Sequence, residues 1–116
     1  MTDSLHRLRD ALREFAAARD WEQFHTPRNL ATALAVEAAE LLEPFQWLDD
    51  AAARDLPPDT RAAVEQEMAD VLLYLVRLAD RLGVDLEQAA CAKIALNAAK
   101  YPVDKARGSA RKYDRL

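Results

Sequence analysis

An all-α fold is predicted by three features of the sequence. Only two glycines occur in 116 residues, too few for a strand-and-turn architecture, while alanine and leucine, both strong helix formers, are abundant. Apolar residues recur three and four positions apart, the spacing of one helical face. The prolines fall where helices begin or end: Pro27 and Pro57-Pro58 open segments, Pro44 and Pro102 close them. The expectation is a bundle of four helices that completes its core by oligomerisation, in a single domain spanning residues 1–116, with about 101–116 a weakly structured basic tail.

The first helix is expected from about Ser4 to Ala18, because Leu5, Leu8, Leu12 and Phe15 form one stripe. Residues Arg19 to His25 make a polar and aromatic connection. Thr26-Pro27 then reads as an N-cap followed by proline in the first turn, so a second helix runs from there through Leu30, Leu34 and Leu41 towards Glu43. Pro44 cannot donate to the helical ladder, which makes Phe45, Gln46 and Trp47 the exit. Asp49 to Asp59 reads as a loop. A third helix, with Asp55 as a possible cap, starts at Pro57-Pro58 and continues to Leu82, where Gly83 stops it. Its run Val71-Leu-Leu-Tyr-Leu-Val76 is apolar on every side and asks for cover all round, more than so short a chain supplies; a homodimer or homotetramer is the expected solution. Asp85 caps a fourth helix from Leu86 to about Lys100.

Composition narrows the function. Hydrophobic residues make up 51% and charged residues 31%, with a net charge of -4. That balance fits a soluble globular domain and supplies no basic face for nucleic acid, although Lys105 to Arg115 is locally basic. No uncharged run approaches a membrane span, and Met1 to Leu12 lacks the apolar core of a signal peptide, so a cytoplasmic protein without a membrane partner is expected. Cys91 is the only cysteine; set among alanines, it reads as a buried and inert thiol.

The chemistry lies in two acidic pairs, Glu37-Ala-Ala-Glu40 and Glu67-Met-Ala-Asp70, each inside an apolar segment. Residues three apart share a helical face, so each pair aims two carboxylates the same way. In apolar surroundings such groups need either a cation or a proton. Four carboxylates with no histidine partner select a hard divalent ion, magnesium first and manganese second. Such a site suits phosphate chemistry, with Lys93 and Lys100 as point charges for distal phosphates. Trp21, Phe24, Trp47 and Tyr74 are candidates to wall a base pocket. No glycine-rich phosphate loop is present. A di-iron carboxylate bundle would need two Glu-x-x-His motifs, and Glu22-Gln-Phe-His25 is the only one. A helical interaction module with structural acidic pairs is the other alternative.

The two acidic pairs resemble the ExxE…ExxD signature of the MazG-like, all-α nucleoside triphosphate pyrophosphohydrolases. The strings Arg19-Asp-Trp-Glu-Gln-Phe-His25, Pro27-Arg-Asn-Leu30, Phe45-Gln-Trp47, Asp70-Val-Leu-Leu-Tyr74, Tyr101-Pro-Val103 and Arg107-Gly-Ser109 resemble its dCTP pyrophosphatase branch in particular. The likeness covers nearly the whole chain. It implies magnesium ligation by Glu37, Glu40, Glu67 and Asp70. It further implies a deoxynucleoside triphosphate pocket lined by Trp21, Glu22, Gln23, Phe24, His25, Trp47 and Tyr74, with Lys93 and Asn97 near the phosphates. The implied reaction is attack of water on the α-phosphorus of dCTP or its 5-substituted analogues, releasing the monophosphate and pyrophosphate. Two positions depart from the branch: Leu12 stands where it carries a histidine, and Pro44 where it carries a helix-compatible residue.

Overall fold

The computed structural model describes residues 3–116, and the described elements are all helical. They fall into two units, one reaching to Val84 and one from Asp85 to Leu116.

In the first unit, α1 (Asp3–Ala18), α2 (Pro27–Leu42), α3 (Asp50–Arg54) and α4 (Pro58–Leu82) follow one another. Helix α2 begins as its sequence dictates: the Thr26 side chain accepts from the Asn29 N–H, and Pro27 occupies a position whose N–H would have had no helical partner. At its far end Pro44 tightens the chain into a 3₁₀ turn, Glu43–Phe45. Helix α4 stops where Gly83 takes a left-handed conformation at φ 68°, its N–H bonded back to the last turn. Both α2 and α1 pack against α4. The buried core is small, formed by Ala16, Leu30, Val64, Val76 and Ala79. Leu30 and Val76 leave water almost completely, each contributing roughly 2 kcal/mol.

Between α1 and α2 the chain turns through Asp20, which adopts φ 53°, a left-handed conformation that aspartate tolerates better than most side chains. The Trp21 N–H then bonds to the Ala16 carbonyl, and the Phe24 and His25 N–H groups bond to that of Trp21. This tight turn hangs Trp21 and His25 from the end of α1.

In the second unit, α5 (Leu86–Lys100) is capped by the Asp85 side chain, which accepts from the Gln88 N–H. After it come α6 (Val103–Ala106) and a 3₁₀ turn, Tyr113–Arg115. Tyr113 folds back so that its ring meets Tyr101 edge-on at 6.1 Å and Lys100 Nζ at 5.0 Å. No helix among the described residues is long and apolar enough to cross a membrane.

The sequence-based bounds of the four long helices hold, and four local expectations are corrected. The segment expected to be a loop contains α3, because Asp49 caps it by accepting from the Ala52 N–H and three alanines follow. Asp55 does not cap α4: it closes α3, and Pro57 stands at the cap of α4 without a side-chain bond. The C-terminal tail holds α6 and a 3₁₀ turn where little regular structure was expected. Cys91 is exposed, not buried, because α5 is alanine-rich and no residue of it is fully buried.

Candidate functional site

Helices α2 and α4 run side by side, and their acidic pairs meet. One carboxylate oxygen from each of Glu37, Glu67 and Asp70 lies within 4.8 Å of the other two. One oxygen of Glu37 and one of Glu67 are sealed from solvent with no hydrogen-bond partner. Such orphaned acceptors are costly unless something positive reaches them. The carboxyl groups register this cost. Glu37 is pushed up to about 7, first by the hydrogen-bonding proximity of the Glu40 side chain, then through burial and the charges of Glu40 and Asp70. Glu67 is raised as well, chiefly by burial and next by the charge of Glu40. A set of oxygen donors, two of them buried and unpartnered, fits a hard divalent cation.

Asp70 also lines a cavity of about 320 Å³ formed by Leu12, Phe15, Trp21, His25, Leu30, Leu73, Tyr74 and Arg77. Most of this lining is apolar or aromatic, with polar groups at a few points, the usual make-up of a small-molecule pocket. Phe15 and Trp21 meet edge-on at 5.7 Å, and Trp21 meets the His25 ring at 6.2 Å. Residues Asp70, Tyr74 and Arg77 are four and three apart on α4, so one helical edge supplies the carboxylate, the phenol and the guanidinium.

Behind His25 lies a chain of charges. Arg77, 4% exposed, donates through Nε to His25 Nδ1 at 3.1 Å and through Nη1 to Asp80 at 3.3 Å. Arg13 of α1 grips the same Asp80 with two hydrogen bonds, and Arg81 Nε donates to the His25 carbonyl at 3.1 Å. The Arg13 hydrogen bond holds the Asp80 carboxyl below its ordinary value. Burial, then the charges of Arg77 and Arg81, lower His25.

Of the residues singled out in the sequence, the structure gathers Glu37, Glu67 and Asp70 in one cluster with Glu40 beside Glu37, and Trp21, His25 and Tyr74 in the adjoining cavity. Glu22 faces instead the recess formed by Arg13, Arg77, Asp80 and Arg81. Gln23 donates back to Asp20, Phe24 is exposed, and Trp47 is 87% exposed beyond the 3₁₀ turn at Pro44. Lys93 and Asn97 are exposed on α5, in the second unit. Sequence reasoning overlooked Arg77. Its position three residues after Tyr74 and seven after Asp70 was the available signal.

An α-helical scaffold that sets convergent carboxylates beside an aromatic cavity has the make-up of a protein with a cation site next to a small-molecule pocket. The chain belongs to the MazG-like family, whose model matches residues 32–116. It is 51% identical over 115 residues to dCTP pyrophosphatase 1 of Mus musculus, covering 97% of this chain and 68% of that one. The Homo sapiens protein of the same name is 49% identical over the same share of both. Among solved structures, a pyrophosphatase from Archaeoglobus fulgidus superposes with a TM-score of 0.81 at 39% identity, covering 88% of this chain and 95% of that one.

Proposed function

We propose that this protein hydrolyses dCTP, and 5-substituted dCTP analogues, to the monophosphate and pyrophosphate, in a magnesium-dependent reaction that removes unwanted nucleotides from the pool. One observation carries the reading: Asp70 belongs both to the carboxylate cluster and to the wall of the aromatic cavity, so a phosphate chain and a base are served by neighbouring parts of one surface. The relatives named dCTP pyrophosphatase 1 support the choice of substrate.

In this reading Glu37, Glu40, Glu67 and Asp70 hold Mg²⁺, with Mn²⁺ as a substitute. When bound, the ion supplies charge neutralisation for the phosphates and lowers the pKa of water. The protein's own groups do the rest. Trp21 gives the base a flat face to stack on, worth roughly 1–3 kcal/mol. Tyr74, one turn beyond Asp70, packs beside the sugar and leaves a 2′-hydroxyl without a partner. The apolar lining from Leu12, Phe15 and Leu30 excludes water from the base end. Lys93 and Asn97 are proposed as phosphate contacts on the strength of the family resemblance alone.

Self-association is part of the proposal. Met68, Leu72, Leu75 and Leu82 of α4 and Val36 and Leu42 of α2 are exposed in the single chain, and so is Trp47. Covering them in a homodimer or homotetramer would complete both the core and the pocket. Light scattering that finds an active ~13 kDa chain, the mass of one copy, would refute assembly.

The activity test is a panel of deoxy- and ribonucleoside triphosphates with pyrophosphate detection, run with magnesium and with excess EDTA. Release of pyrophosphate led by dCTP and abolished by EDTA is expected. No release from any nucleotide would refute the function, and full activity in EDTA would refute the metal.

A further inference from the structure

We propose that Arg77 is a positioning residue: anchored by Asp80, it holds His25 as the neutral tautomer protonated on Nε2, so that the cavity offers the base a fixed hydrogen-bond donor. The inference rests on reading this cavity as the nucleotide pocket.

The argument begins with what a guanidinium can do. It has donors only and does not lose its proton in a protein. A ring nitrogen 3.1 Å from Arg77 Nε must therefore present a lone pair, which leaves Nδ1 unprotonated. The other tautomer, or the imidazolium, would set N–H against N–H beside a buried positive charge. In the neutral ring the single proton must then sit on Nε2, making it a donor. Among the described residues Nε2 has no protein partner, and the ring lines the cavity.

The guanidinium is itself fixed. Asp80 takes Nη1 of Arg77 and is held from the other side by both nitrogens of the Arg13 fork. The histidine backbone is fixed independently of its ring, its carbonyl accepting from Arg81 and its N–H bonding to the Trp21 carbonyl, while the Trp21 ring meets the imidazole edge-on. Little is left for the imidazole to do but keep its orientation.

A donor of fixed orientation reads acceptors. Cytosine offers two on its pairing edge, the ring nitrogen N3 and the O2 carbonyl. Thymine and uracil share the O2 carbonyl but carry a proton on N3, so the donor selects cytosine by facing N3. Meeting that proton with a second donor leaves both groups unsatisfied.

The test uses the whole protein with ¹⁵N-labelled histidine. There are two histidines, His6 and His25, so a His6→Gln variant assigns the signals. At neutral pH, wild-type His25 should show an unprotonated Nδ1 and a protonated Nε2. Arg77→Met should release the ring into a mixture of tautomers and raise KM for dCTP roughly tenfold, with kcat changed less than about threefold. Arg77→Lys, which keeps a donor-only cation, should retain the wild-type tautomer. A wild-type ring protonated on Nδ1 overturns the proposal without need of any variant. So does an Arg77→Met protein with the wild-type tautomer and an unchanged KM. A locked ring in a protein that hydrolyses no nucleoside triphosphate overturns the base-reading role together with the proposed function, and a hydrolase with an Nδ1-protonated His25 overturns this inference alone.

Discussion

The proton on Glu37 makes cation binding measurable as acid–base chemistry. Its carboxyl is pushed from 4.5 up to about 7 by Glu40, burial and Asp70. Because the folded value lies above the unfolded one, between pH 4.5 and 7 the folded chain holds a proton that the unfolded chain has released. The metal-free protein therefore loses stability as pH rises through that window, and below it the group contributes no penalty. A divalent ion held by Glu37, as proposed, would need the ionised carboxylate and would have to displace this proton. Its affinity should rise about tenfold per pH unit from pH 5 towards 7 and level off above. Calorimetric titration of Mg²⁺ or Mn²⁺ in buffers of different ionisation heat reads the proton directly: about one released per ion at pH 6 and almost none at pH 8. Glu37→Gln should remove most of that release, abolish hydrolysis, and in EDTA gain melting temperature relative to wild type as pH rises from about 5 to 8. A cation affinity that is flat between about pH 5.5 and 8, or an unchanged proton release in Glu37→Gln, would refute the reasoning.

Three further outcomes are expected. Asp80→Asn should cost roughly 1–2 kcal/mol in urea denaturation at pH 7, discounted for the half-exposed Arg13. Since Arg13 lowers the Asp80 carboxyl below its ordinary 3.8, this stabilisation is present above that value and vanishes as pH falls through the folded one; equal stability of the two proteins at pH 7 would contradict it. Wild type should prefer dCTP over CTP roughly ten- to a hundredfold in kcat/KM, and Tyr74→Ala should narrow the ratio; equal values for the two sugars in the wild type would dismiss the role of the ring. Gly83→Ala should lower stability by about 1 kcal/mol with kcat/KM unchanged, because an added Cβ at φ 68° meets no neighbour and only the backbone conformation is strained; an unchanged melting temperature would count against this.

Local signals told where helices begin and end, and they were legible because a cap or a proline acts within three or four residues. Thr26 with Pro27, Asp85 and Gly83 each did what their chemistry requires. Helix α3 carried the same kind of signal, Asp49 followed by alanines, but its five residues are too short to establish a period. The meeting of the acidic pairs was inferable only as an expectation, since helical spacing fixes a face and not what it faces. Arg77 was illegible for a related reason. A charged residue on a helix is usually solvated, and what buries this one is Asp80 one turn later together with His25, 52 positions away. Trp47 illustrates the converse. Its aromatic character suggested a pocket wall, but the 3₁₀ turn at Pro44 carries it outward within its own chain.

Glu67, Asp70, Tyr74 and Arg77 all stand on one edge of α4, so the dimension of the site from carboxylates to histidine anchor is set by the pitch of a single helix, about 15 Å over ten residues. The helix works as a graduated rod. Slight shifts of α1 or α2 against it alter how tightly the cavity closes, but they leave the graduations unchanged. One residue inserted between Glu67 and Arg77 would instead turn everything beyond it by about 100°, separating the carboxylate end from the histidine end while leaving the helix otherwise continuous.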